Sequence, residues 1–203
     1  MTAFAFWVMV GLGLAVVVVR QRTLAVAAVT LQALVLVALS LAQARGGSEV
    51  AAAVALVIRA LALAGLFALL AARTRESTPV RAGADPLARA ILAVGLALAL
   101  TWLLPTLGLE SRSAERAALA LVAFGLATAA TRRATLLQVV GIVLAENGLA
   151  LAALELPGVH ALVIEIGVAV DLTLIGLVAA AFHTRIFAEL GTADTALLRS
   201  LRD

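Results

Sequence analysis

Three ionisable side chains stand where the sequence is otherwise hydrocarbon: Arg59 in "VALVIRALALAG", Glu146 in "LAENGLAL" and Asp171 in "GVAVDLTL". A charged group at the centre of a bilayer costs ~2.5–3.5 kcal/mol on insertion scales, so these three are expected to face one another, a partner subunit or water. Burial favours a protonated carboxyl and a nearby guanidinium favours the carboxylate; the balance of the two poises a group for proton exchange near neutrality. Arginine keeps its charge. The residue types therefore suggest a proton relay through Glu146 and Asp171, with Arg59 tuning their proton affinity and Glu165 nearer the outer mouth. Gln32, Gln138 and Asn147 both donate and accept hydrogen bonds, so they could hold water between the acids. A structural reading stands beside this one: buried polar groups can satisfy each other and lock helix register. His183 reads as an interfacial residue at a helix end, where the dipole favours a cation, or as part of a proton exit. Glu155 and His160, in "ELPGVH", read as solvated loop residues.

The elements that must position these groups are membrane helices. The chain has 203 residues, 64% of them hydrophobic and 13% charged, with a mean hydropathy of +1.15, far above that of a soluble domain. Apolar runs of about 20 residues, the length that crosses a ~30 Å hydrocarbon core, alternate with short polar breaks. They predict an all-α integral membrane bundle of about seven transmembrane helices, at 3–19, 24–43, 50–72, 87–105, 116–131, 134–154 and 159–184. Counted inward from these bounds, Arg59, Glu146 and Asp171 fall within roughly 5 Å of the midplane.

Arginine placement sets the expected orientation. Arg20, Arg22, Arg73, Arg75, Arg81, Arg89, Arg132, Arg133, Arg185, Arg199 and Arg202 fall on one side, against Arg45, Arg112 and Arg116 on the other. The positive-inside rule then puts the N-terminus outside and the C-terminus in the cytoplasm. Trp7 and Trp102 both land near the outer boundary, as an aromatic belt would have them. The first helix, lacking a basic flank and a cleavage site, reads as a retained span. The chain reads as one membrane domain, 1–203. The loop "RTRESTPVRAGADP", cytoplasmic in this topology, divides a three-helix part (1–72) from a four-helix part (87–203).

Composition excludes several chemistries. Cysteine is absent, and with it disulfides, thiolate metal sites and iron–sulfur ligation. The two histidines are too far apart to suggest haem or a metal centre. All 15 basic side chains are arginine, so no lysine can form a Schiff base. The sequence pI of about 11.2 accompanies a net charge of only +3, and the arginines lie in short loops, which points to topology and not to nucleic acid. No cofactor is expected.

The segment "RRATLLQVVGIVLAENGLALAAL", then "ALVIEIGVAVDLTLIGLV" and the tail "GTADTALLRSLRD", resembles the membrane component E of hydrogenase-4-type complexes. The pattern Q-x-x-G-x-x-x-x-E-N-G followed by E-I-G-x-x-x-D falls here on Gln138, Gly141, Glu146, Asn147, Gly148, Glu165, Ile166, Gly167 and Asp171. The likeness is clearest over 132–203; upstream, Arg59 stands where the family would have a lysine. The same segment is similar to subunit K of bacterial complex I, whose first acid lies in G-x-E-x-x-x-N. Here Gly141 and Asn147 keep that spacing, Val143 replaces the acid, and Glu146 follows one turn later on the same face. Asp171 falls where the second acid would.

What the resemblance implies is a non-catalytic subunit of a bacterial inner-membrane complex related to hydrogenase 4, formate hydrogenlyase and complex I. Its partners would be antiporter-like proton-pumping subunits and peripheral redox subunits, within the lipid bilayer. Two other classes remain open at this point: a structural scaffold of the same complex, and an independent small secondary transporter. No inverted repeat or broken helix supports the last.

Overall fold

Hydropathy sets the elements and local chemistry sets their ends. A computed structural model describes residues 2–44, 46–74 and 85–156, together with Gly176. Among the described residues there are six helices and no strands: α1 (Thr2–Val18), α2 (Arg22–Gln43), α3 (Gly47–Thr74), α4 (Pro86–Leu103), α5 (Arg112–Thr131) and α6 (Thr135–Leu154). Four of them, α2, α4, α5 and α6, are long and apolar enough to cross a membrane, and α1 is a shorter apolar helix. The all-helical class and the membrane character are as expected. The expected seventh span, with Glu165, Asp171 and His183, lies outside the described residues apart from Gly176, which is helical and buried. His160 lies outside them too.

Capping explains where the helices depart from their apolar runs. α5 begins at Arg112, not at 116, because the Ser111 hydroxyl accepts the Ala114 N–H at 3.0 Å and adds a polar first turn. The Gly46 N–H donates to the Glu49 carboxylate at 2.9 Å, closing the start of α3. Pro86 opens α4 at its first turn. α4 stops at Leu103, short of the expected 105, since Leu104 precedes Pro105 and takes an extended backbone.

Two sets of contacts fix an up-and-down arrangement. At one end, Arg132, after α5, donates to the Val16 and Val17 carbonyls at 3.2 and 2.9 Å and to that of Val19, where α1 finishes. Arg89, in the first turns of α4, is close enough for the charge of Arg20 to act on it and for both charges to act on Arg132. At the other end, Gln43 from the close of α2 donates to Glu155 after α6 at 2.9 Å, and the Glu110 N–H before α5 donates to the Glu155 carbonyl at 3.0 Å. Arg20, Arg89 and Arg132 therefore share one end, as the alternation of spans requires. Trp7 and Trp102 belong to the opposite end and are exposed.

α6 is the most buried of the four candidate spans and packs most extensively on α5. That hairpin is built on small residues. A Cβ on Gly141 would lie 2.6 Å from the Ala129 nitrogen and 2.8 Å from the Gly125 carbonyl oxygen; one on Gly148 would lie 2.8 Å from the Ala118 oxygen. The two backbones touch at these glycines, which is how helices gain packing in lipid without a hydrophobic drive. The outer faces of α2, α3 and α4 instead expose large apolar side chains, among them Leu31, Leu34, Ile58, Leu61, Ile91 and Leu98.

Glu155 departs from its expected place in a solvated loop. It is buried, held by Gln43, and its backbone anchors the turn before α5. Gln43→Leu removes the amide that serves this carboxylate and is expected to cost about 1–3 kcal/mol, read as a lower unfolding midpoint in detergent. Gln43→Glu, which sets a second carboxylate against the first, should cost at least as much.

Candidate functional site

Four helices contribute to one chain of polar groups at the middle of the bundle. Arg59 of α3 donates through Nη2 to the Asn147 side-chain oxygen of α6 at 3.1 Å. Asn147 donates to the Gln32 side-chain oxygen of α2 at 3.4 Å, and Gln32 donates to the Met9 carbonyl of α1 at 2.7 Å. Gln32 and Asn147 are 0% and 1% exposed, and Arg59 is buried. Met9, Gln32, Arg59 and Asn147 each lie near the middle of their helix, so the chain occupies one level.

Local sequence makes this possible. Gly13 lies one turn beyond Met9, and a Cβ there would sit 3.3 Å from the Gln32 nitrogen and 2.9 Å from Leu121. Its absence leaves room for the amide to reach an α1 carbonyl. The neighbours are Leu36, Leu121, Phe124, Val143 and Leu144, all buried and apolar. In such surroundings a satisfied polar chain is strong and an unsatisfied one is costly. Glu146 precedes Asn147 on α6 and is half-buried, placing an ionisable carboxylate one residue from the chain.

The expected site residues divide accordingly. Arg59, Asn147 and Gln32 come together in one hydrogen-bonded chain, with Glu146 beside Asn147 in sequence. Gln138 does not join them: it donates to the Arg132 carbonyl at 2.9 Å, near the start of α6, and secures the α5–α6 connection. Glu165, Asp171 and His183 lie outside the described residues. No family model, curated protein or solved structure matches the chain. Among the described residues no group of histidines and acids is arranged to hold a metal ion.

Two arginines that read in the sequence as charges near span ends are buried. Arg132 is buried and caps the carbonyls at the end of α1. Desolvation, with the charges of Arg89 and Arg20, lowers its pKa from the ordinary arginine value to about 10, which leaves it charged at neutral pH. Arg89 is 2% exposed. The available signal was helical spacing: Arg89, Ala93 and Ala97 form the buried stripe of α4, whereas Leu87, Ile91 and Leu98 face outward.

Proposed function

We propose that this chain is a multi-pass bacterial inner-membrane subunit of an energy-converting complex related to hydrogenase 4, formate hydrogenlyase and complex I. In this reading the N-terminus lies outside, the chain carries no redox centre of its own, and it joins antiporter-like pumping subunits to the redox arm. Glu146 and Asp171 pass protons, Arg59 holds positive potential beside them, Asn147 and Gln32 orient the intervening groups, Glu165 serves the outer mouth and His183 the cytoplasmic exit. The observation that carries the reading is the mid-level chain of Arg59, Asn147 and Gln32 with Glu146 adjacent. An all-apolar core would pack four helices at lower cost, so a polar layer there calls for a role.

The test is proton pumping by the intact complex in sealed vesicles, with subunit content checked for each variant. Glu146→Gln and Asp171→Asn are expected to assemble and keep electron transfer, while pumping falls by about a hundredfold or more. Unchanged pumping in both would sink the relay. A second reading, a scaffold, is favoured by the way the amides of Gln32 and Asn147 tie α1, α2, α3 and α6 together. For a scaffold, the same variants would lose assembly and electron transfer together.

A further inference from the structure

The arginine-rich end of the bundle holds a charge arrangement that the described residues do not complete. Arg89 is buried, and none of its three guanidinium nitrogens has a hydrogen-bond partner among the described residues. The charges that act on it are those of Arg20, which is exposed, and Asp85, which is exposed at the start of α4; Arg89 and Arg20 in turn act on Arg132. Among the described residues, Asp85 is thus the one carboxylate whose charge acts on this group, and it acts on Arg89 alone. Arg132 spends Nη2 on the last carbonyls of α1, while its Nε, also buried, has no partner among the described residues. A buried cation without an acceptor is costly, and guanidinium forks match phosphate oxygens in pairs.

Position narrows the anion. Arg20 lies two residues past α1, Arg89 three residues into α4 and Arg132 one residue past α5, which is headgroup depth for helices of this length. Leu87 and Ile91 flank Arg89 in sequence, are 65% and 64% exposed, and continue the apolar outer face of α4 away from the cluster. A cationic cluster at this depth beside an apolar helix surface favours an anion joined to hydrocarbon. We infer that Arg89, Arg20 and Arg132 form a binding site for the phosphate of an anionic phospholipid. Basic recesses between helices at this depth suit such headgroups. The inference is independent of the proposed role in proton transfer.

The experiment is lipid retention by the purified full chain, measured by native mass spectrometry with cardiolipin, phosphatidylglycerol or phosphatidylcholine added to detergent at equal ratio. Expected are selective retention of the anionic lipids, a raised unfolding midpoint in their presence, and at least about a tenfold loss of retention in Arg89→Gln. Arg89→Lys, which keeps the charge and loses the fork, guards against misfolding: it should remain monodisperse and retain intermediate amounts. Millimolar inorganic phosphate should neither stabilise the protein nor displace cardiolipin; if it does both, the site reads phosphate alone and the lipid assignment falls. Equal retention of all three lipids, or equal retention by wild type and both variants, would overturn the proposal and leave a partner subunit's carboxylate as the acceptor.

Discussion

Gly125→Leu is expected to leave little folded protein, the largest effect of any single substitution considered. A Cβ at residue 125 would meet the Ala145 nitrogen and lie 2.5 Å from the Gly141 carbonyl oxygen and 2.6 Å from the Ala145 Cβ. These neighbours are mainly backbone, and backbone on a packed helix cannot rotate aside. Extra methylenes in an ordinary core cost ~1–3 kcal/mol; here even Gly125→Ala should exceed that range, because the whole α5–α6 contact must open. Since α6 also carries Asn147 and packs on α2, separating the hairpin dismantles the central level as well. Gly95→Ala is the matched control. It is also helical, but a Cβ there meets nothing within 4 Å, so its effect should stay within about 1 kcal/mol of neutral. Yield of monodisperse protein and resistance to detergent unfolding measure both; equal yields from the two variants would contradict the packing described.

The second large effect is expected at Asn147. Asn147→Leu takes from Arg59 the acceptor for Nη2 and from Gln32 a donor, deep in the bundle. Removing the neutral partner of a buried hydrogen bond to a charged group costs about 1.5–3 kcal/mol. The double variant Arg59→Leu/Asn147→Leu should recover part of this loss, because it removes the charge along with its acceptor. Unfolding of wild type, the two single variants and the double variant closes a cycle. Strict additivity would mean that the Arg59 to Asn147 hydrogen bond contributes nothing. Arg59→Lys, which keeps a cation but gives up the guanidinium fork, should fall between wild type and Arg59→Leu.

Much of the architecture was legible in the sequence because hydrocarbon imposes one rule on every span: backbone groups must pair within the helix, so long apolar runs become helices. Six expected runs correspond to six helices, with ends displaced where a cap or proline outweighs hydropathy, as at Ser111 and Pro105. The polar level was legible too. Arg59, Asn147 and Gln32 are conspicuous against apolar neighbours; counting residues from the span ends placed Arg59 and Glu146 at one depth with Asp171, which lies outside the described residues.

Residue counting gives depth but no direction around the helix axis, and direction was decided by packing. Which glycines touch followed from the register of α5 on α6: Gly125, Gly141 and Gly148 meet backbone, while Gly11 and Gly95 meet nothing within 4 Å. Gln138 has the chemistry to join the polar level, yet it sits near the start of α6 and binds the Arg132 carbonyl. Arg89 and Arg132 looked like solvated loop charges because their placement near span ends fits the positive-inside rule equally well whether they point to water or into the bundle. Among the described residues, the meeting of α1, α4 and the α5–α6 connection contributes to their burial. The sequence by itself determined helical class and membrane character, since these depend on composition along one dimension. The tertiary structure decided which polar groups meet, which glycines are indispensable and which arginines are buried, since these depend on the rotation and register of one helix against another.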